Sequence, residues 1–331
     1  MKRVCKIGLI VLLGLVLCSG VLFAGGRREE VRDDQFRVAM LLPGPITDEG
    51  WSQTAYEGLL KIRDELGAHV DYVEMVLSAD MEELFRGYAV QGYDVIIGHG
   101  FEYGDPASEI APDFPNTKFV INSSTFHQAP NIASILNDGW QMGFLSGSLA
   151  GLMTESNVIG SVAGMEIESI IAFHKGFTDG AKYVNPDVEA VTAYIGNFSD
   201  AATAKEMAIS MIERGADVIT HNANEAGMGV MEAAREYNVP MIGAIGDQQH
   251  LEPSVIVTSA INDMVMAIFS VVEIIHQGGF EPVNYVMGVA EGCIDLAPLR
   301  HWEDKIDPAI IDRVMEIRED LREYRLTRDQ F

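Results

Sequence analysis

A chain of 331 residues with 48% hydrophobic composition holds enough apolar material for a buried core and about two domains of ordinary size, which excludes a disordered chain. Its formal net charge is −26 and no block of five or more basic residues occurs, so there is no source of counterion release and an anionic membrane surface would repel it. Nucleic acid is excluded as a partner.

In chain order, Lys2, Arg3 and Lys6 come first, followed by an apolar run from Ile7 to Leu17. The run is short for a membrane span and right for a signal peptide, so residues 1–24 are predicted as an export segment and 25–35 as a flexible leader. Removing the three cations takes the formal charge to about −29. Two readings of the processing site stand. Leu15-Val16-Leu17-Cys18 resembles the lipobox of bacterial lipoproteins, which would lipidate Cys18, although Leu17 stands where that motif wants a small residue. Cleavage after Ala24 is the other. An uncleaved anchor would keep the same compartment: the protein is expected to be exported, periplasmic or at the cell surface, with a lipid anchor on Cys18 as its membrane contact if that residue is lipidated. Cys5, Cys18 and Cys293 are the three cysteines, so the mature body has no disulfide framework and no thiolate metal site. Cys293 reads as a small core residue.

From residue 36 strand and helix patterns alternate. Phe36–Leu42 reads as a buried strand; Ala55, Leu59, Ile62 and Leu66 recur at helical spacing; His69–Val76 is strand-like; Met81, Leu84 and Tyr88 mark a helix. Asp94–Gly98, Lys118–Asn122 and Asn131–Leu136 complete about five strands of one parallel sheet. The pattern restarts with helix 138–153, strand 158–164, helix 169–183, strand 189–196, helix 201–214, strand 217–223, helix 229–237 and strand 240–246. Strand 254–260, helix 264–275 and strand 283–289 come too late for one sheet and cross back. The expected fold is α/β with two doubly wound parallel-sheet lobes, 36–138 plus 261–286 and 139–260 plus 287–331. Ligands of such folds bind at the carboxyl ends of strands.

The loops at those ends are polar and aromatic: Pro43 to Gln53, Gly98 to Asp105, Asn122-Ser123-Ser124, Gly196 to Asp200, His221 to Gly227 and Gly246 to His250. They offer ring faces, amides and a few carboxylates, which suit a flat, neutral, hydrogen-bonding ligand. Trp51 in a polar loop leans to ligand contact over a core anchor. Asp48 fits a helix cap or a ligand contact, Asp200 a cap for the helix from Ala201, and Phe101 and Phe173 either core or ligand. His99 and His221 follow apolar strands and read as structural histidines. Asp48, Asp105 and Asp247 could in principle serve as acid and base, but no nucleophile elbow, phosphate loop, dinucleotide fingerprint or metal set accompanies them. No enzyme, cofactor or metal is predicted.

Several segments resemble the basic membrane protein (BMP) family in order and spacing. They are Asp48-x-Gly50-Trp51-Ser52-Gln53 with Ala55-Tyr56-Glu57-Gly58-Leu59, Ile97-Gly98-His99-Gly100-Phe101, Phe114 to Phe119, Gly143 to Gly151, Gly176 to Pro186 and Gly215 to His221. The resemblance implies a type I periplasmic-binding-protein fold with three crossings. It also implies an extracytoplasmic substrate-binding lipoprotein of an ABC importer, monomeric, handing a purine nucleobase or nucleoside to a permease and ATPase complex. By position, Trp51 and Phe198 match the rings that sandwich the base, Asn122 stands in place of an aspartate, and Asp247 matches the aspartate of a Gly-x-x-x-Asp-Gln segment. Asp48, Ser52, Gln53, Phe101, Asn222, Asn224 and Ser123 complete the expected ligand-binding set. Leu42, Ser52 and Asn224 depart from the nucleoside binders' aspartate, asparagine and glycine, and Asn262 lies near their lysine, so specificity is expected to shift toward a nucleobase or modified ligand. A hinge is expected near 137–140, 258–261 and 288–290. The alternative within the fold is a membrane-associated sensor that signals to a receptor; a repressor would need a basic helix-turn-helix, and none precedes Phe36.

Overall fold

The structure, a computed structural model, describes residues 35–47 and 51–331. The predicted signal segment, Cys18, most of the leader and Asp48 lie outside the described residues.

The first half runs β1 (Arg37–Leu41), α1 (Trp51–Leu66), β2 (His69–Val73), α2 (Met81–Val90), β3 (Val95–His99), α3 (Gly104–Ile110), β4 (Lys118–Asn122) and β5 (Ile132–Asn137). The second runs α4 (Gly139–Met153), β6 (Val158–Ala163), α5 (Glu168–Val184), β7 (Glu189–Tyr194), α6 (Ala201–Glu213), β8 (Val218–Asn222), α7 (Gly227–Tyr237), β9 (Met241–Ile245) and β10 (Ile256–Asn262). Then come α8 (Met264–His276), β11 (Asn284–Met287), β12 (Ile294–Leu296) and α9 (Pro308–Arg322). Strand order is β11-β5-β4-β3-β1-β2 in the first sheet and β12-β10-β9-β8-β6-β7 in the second. Every pairing is parallel except β10 with β12.

Strand alternation explains why the apolar runs are continuous. Along β1 and just beyond it, Val38, Met40 and Leu42 pack toward α1 and α8, whereas Ala39 and Leu41 pack toward α2 and α3. A parallel strand covered on both faces has no polar side, so its sequence shows no period of two. The second sheet is sandwiched in the same way, by α6 and α7 on one face and by α4, α5 and α9 on the other.

Helices α4 and α5 meet backbone to backbone. A Cβ at Gly143 or Gly147 would lie 1.9 or 2.0 Å from the carbonyl oxygens of Phe173 or Phe177, and one at Gly176 or Gly180 would lie 2.1 Å from those of Trp140 or Phe144. Phe173 is fully buried and packs in the core.

The chain passes between the sheets three times, and the passages are bonded side by side. Asp138 N–H donates to Met287 O at 2.9 Å, Asp263 N–H to Cys293 O at 2.7 Å, and Val289 N–H to Gln141 Oε1 at 2.8 Å. Asn137, the last residue of β5, donates to Asn262 Oδ1, the last residue of β10, so the carboxyl edges of the two sheets meet there. Asp138 and Asp263 also cap α4 and α8, accepting the N–H of Gln141 at 3.0 Å and of Met266 at 2.9 Å, so each passage leads straight into a helix. A cap of this kind contributes about 1 kcal/mol.

The structure differs from the sequence reading at five places. Trp51 is the first residue of α1 and not a loop tip. The second passage falls after Asn262 and not within 258–261, because that stretch pairs with β9 as far as Ile261. Strand β12, of three residues, runs antiparallel on the sheet edge, and α3, with Pro106 in its first turn, was not anticipated. The charge-rich α9 was also unplaced, although its buried Val314, Ile317 and Leu321 recur at helical spacing.

Candidate ligand-binding site

Two groups of side chains stand at the carboxyl ends of the strands. In the first, the Trp51 ring lies on that of His99, at the end of β3, with centroids 4.2 Å apart and planes 29° from parallel. His99 is wholly buried and Trp51 is 40% exposed. His99 Nε2 is 3.0 Å from the Trp51 carbonyl oxygen, and Nδ1 is 2.8 Å from Nδ2 of Asn122 at the end of β4. A carbonyl only accepts, so Nε2 carries the proton and the neutral ring receives the Asn122 N–H at Nδ1. Asn122 is buried, and its amino group also reaches Met264 Sδ at 3.3 Å.

Around this group, Ser52 is buried and its Oγ accepts the Gly44 N–H at 3.1 Å, tying the start of the loop to α1. Gln53 donates to Glu57 one turn on, at 3.1 Å. Phe101 opens a single 3-10 turn and is 69% exposed. Ser123 follows β4 with φ 54°, turning the chain away from the strand direction. Leu42 is wholly buried among Ala55, Leu59 and the residues of α8, so that position presents no polar group.

The second group starts at Gly164, after β6, where a Cβ would lie 2.3 Å from the Phe198 ring. Only glycine admits that contact. Gly164 N–H donates to Asn222 O at 3.0 Å, Ala226 N–H donates to Phe198 O at 3.0 Å, and Asn197 Oδ1 takes the N–H of Ser199 and Asp200 at 2.9 and 2.8 Å. Phe198, half-buried, is thus carried on a fixed loop. Asn222 ends β8 almost fully buried, and its amide makes no hydrogen bond to another described residue. Asn224 is exposed at φ 48°, in the left-handed region that asparagine tolerates.

Asp247 is bound by a group the sequence reading missed. Arg300 contacts its carboxylate at 2.5 Å, and that hydrogen bond holds the carboxyl below its usual range. Arg300 comes from the segment after β12, and nothing in its local sequence announces the pairing. Asp200 is a cap, as expected: it accepts the Thr203 N–H at 3.0 Å and hydroxyl at 2.7 Å, which lowers its pKa.

Two further histidines are buried in the second sheet's surroundings. Ser161 Oγ and His174 Nδ1 lie 2.5 Å apart, and His221 Nε2 lies 3.0 Å from Gln248 Oε1, an oxygen that also accepts the Ala244 N–H. Burial drives the His174 imidazole down to about 3 and lowers that of His221, so both are neutral at neutral pH. His221 is buried at the end of its apolar strand, with Nδ1 left without a hydrogen-bond partner. Burial pushes the Cys293 thiol up to about 12, which leaves it inert. Among the described residues no three His, Cys, Asp or Glu are grouped to hold a metal ion, and no helix is long and apolar enough to cross a membrane.

A family model described as ABC transporter substrate-binding protein PnrA-like, Bmp, matches residues 35–320. The chain is 30% identical over 264 residues to the ABC transporter nucleoside-binding protein BmpA of Lactococcus lactis, covering 76% of this chain and 75% of that one. It is 28% identical over 261 residues to the transcriptional activator protein Med of Bacillus subtilis, covering 78% and 81%. The crystal structure of an ABC transporter solute-binding protein from Aeropyrum pernix matches with a TM-score of 0.72 at 23% identity, over 88% of this chain and 92% of that one, which is a likeness of fold. The two sheets with flanking helices are those of a type I periplasmic-binding protein. The chain therefore belongs to the Bmp family, the basic membrane proteins, and is an ABC-transporter substrate-binding protein and not an enzyme.

Proposed function

We propose that the chain captures a purine nucleobase or nucleoside, or a related heteroaromatic, between two closing lobes and delivers it to an ABC permease with its ATPase. The lobes are 36–138 with 263–286 and 139–262 with 287–331, the expected border at 260/261 moving to follow Asn262 because β10 belongs to the second sheet. The protein acts as an exported monomer, tethered to the membrane if Cys18 is lipidated.

The observation that carries this reading is Trp51, an indole backed on one face by His99 and partly open at the carboxyl edge of the first sheet. Phe198, seated on Gly164 at the carboxyl edge of the second, is the matching ring, and stacking contributes roughly 1–3 kcal/mol per ring. The unused amide of Asn222 suits the polar edge of a heteroaromatic. With Leu42 in the core and Asp247 tied to Arg300, few groups remain for sugar hydroxyls, which favours a nucleobase. The ligand drives closure through its greater affinity for the closed form, with the three passages as hinge.

The test is to purify the protein, denature it and identify the released molecule by mass spectrometry, then titrate with adenine, guanine, hypoxanthine and their nucleosides. The expected outcome is tighter binding of a base than of its nucleoside, with Trp51→Ala weakening binding roughly tenfold or more. Uniformly tighter nucleoside binding overturns the nucleobase preference, and binding of no purine overturns the ligand class.

A further inference from the structure

We propose that His99 is a positioning residue for the ligand platform: it holds the Trp51 indole in place from beneath and is itself locked in one tautomer by Asn122. The inference rests on the reading of Trp51 as the ligand-stacking ring. The Trp51 side chain stands on the first residue of a helix and is 40% exposed, so its rotamer depends on the neighbours that cover the rest of it. A ligand that had to order a loose ring would lose affinity to that ordering.

His99 removes the freedom in two ways. Its ring covers one indole face at 4.2 Å, and its Nε2–H holds the Trp51 carbonyl at 3.0 Å, so side chain and backbone are gripped together. The grip needs Nε2 protonated and Nδ1 bare. Asn122 enforces that state by donating to Nδ1 at 2.8 Å, and the same amino group rests on Met264 Sδ at 3.3 Å. Met264 is the first residue of α8, immediately beyond the second passage between the sheets. Strands β3 and β4 and the start of α8 therefore converge on one indole. In this arrangement Asn122 acts through His99, and the amino group of the residue predicted to meet the ligand directly is turned to the ring that orients the indole.

A double-mutant cycle on the full chain tests this, with adenine, hypoxanthine and their nucleosides as probes and ¹⁹F NMR of 5-fluorotryptophan-labelled protein as a second readout. Trp51 is one of three tryptophans, and its resonance is assigned by Trp51→Phe. His99→Ala is expected to weaken probe binding roughly tenfold in the wild-type background and to have no further effect alongside Trp51→Ala. His99→Phe, which keeps a ring beneath the indole, recovers part of the loss. His99→Ala also shifts and narrows the Trp51 resonance without ligand, as the imidazole ring current and the restraint are lost. Equal losses in both backgrounds, or a Trp51 resonance unmoved by His99→Ala, overturn the proposal. If Trp51→Ala leaves probe binding unchanged, the ligand reading of Trp51 fails, and the ligand-free resonance still decides whether His99 positions the ring.

Discussion

Ile245 ends β9 in a conformation that its own side chain disfavours. The four residues before it are buried, yet Ile245 is 44% exposed at φ 76°, and Gly246 N–H closes a three-residue turn on Ala244 O at 3.1 Å. That is a γ-turn of the rare, strained kind, occupied by a β-branched residue for which positive φ is an outlier. Such strain costs on the order of 1–3 kcal/mol, and glycine would escape it at an entropic cost of about 0.5–1 kcal/mol. Ile245→Gly is therefore expected to raise unfolding free energy by about 1 kcal/mol in urea titrations. A loss of stability would show that the side chain is packed and that the strain argument is wrong. Neither this turn nor the stack beneath Trp51 was legible in the sequence. A backbone angle at a strand's end and a ring-on-ring contact across 48 positions have no local signature, and the same is true of Arg300 reaching Asp247. Asp200 was legible because a cap is a local event: its partner, Thr203, is three residues away.

At the scale of elements, the paired helices α4 and α5 depend on glycines that the sequence showed only as a run of small residues. A methyl at Gly147 would lie 2.0 Å from the Phe177 carbonyl oxygen, far inside contact distance, and both helix backbones would have to separate. Gly87 in α2 also sits mid-helix, but a Cβ there meets nothing within 4 Å. Gly147→Ala should therefore destabilise by about 3 kcal/mol and Gly87→Ala should stabilise by about 0.5–1 kcal/mol, opposite signs from one chemical change, compared by urea midpoint. Loss of stability in both would mean that helix propensity and contact geometry are not what separates them. Strands β1, β3, β4 and β8 were readable because burial on both faces selects unbroken apolar runs. Strand β12 was not, since three residues carry no period and its partner β10 lies some 35 positions back.

Over the whole molecule, the buried histidines set how the protein meets acid. His174 is 3% and His221 2% exposed, the first bonded to Ser161 and the second seated on Gly227, so charging either one in the folded state is opposed by burial. The folded His174 titrates near 3 against 6.5 for the free side chain, and His221 is displaced in the same direction. Between those values the unfolded chain binds a proton that the folded chain refuses. Stability is therefore fully present above pH 6.5 and falls as pH drops toward 3, by about 1.4 kcal/mol per pH unit for each histidine that stays neutral. Both histidines belong to the second sheet and its helices, so that half should yield first. Urea midpoints taken from pH 7.5 to 4.5 are expected to decline, and His174→Gln, which can keep a hydrogen bond to Ser161 without a titrating ring, should remove one proton's worth of the slope. An unchanged slope in that variant would assign the acid loss to other groups.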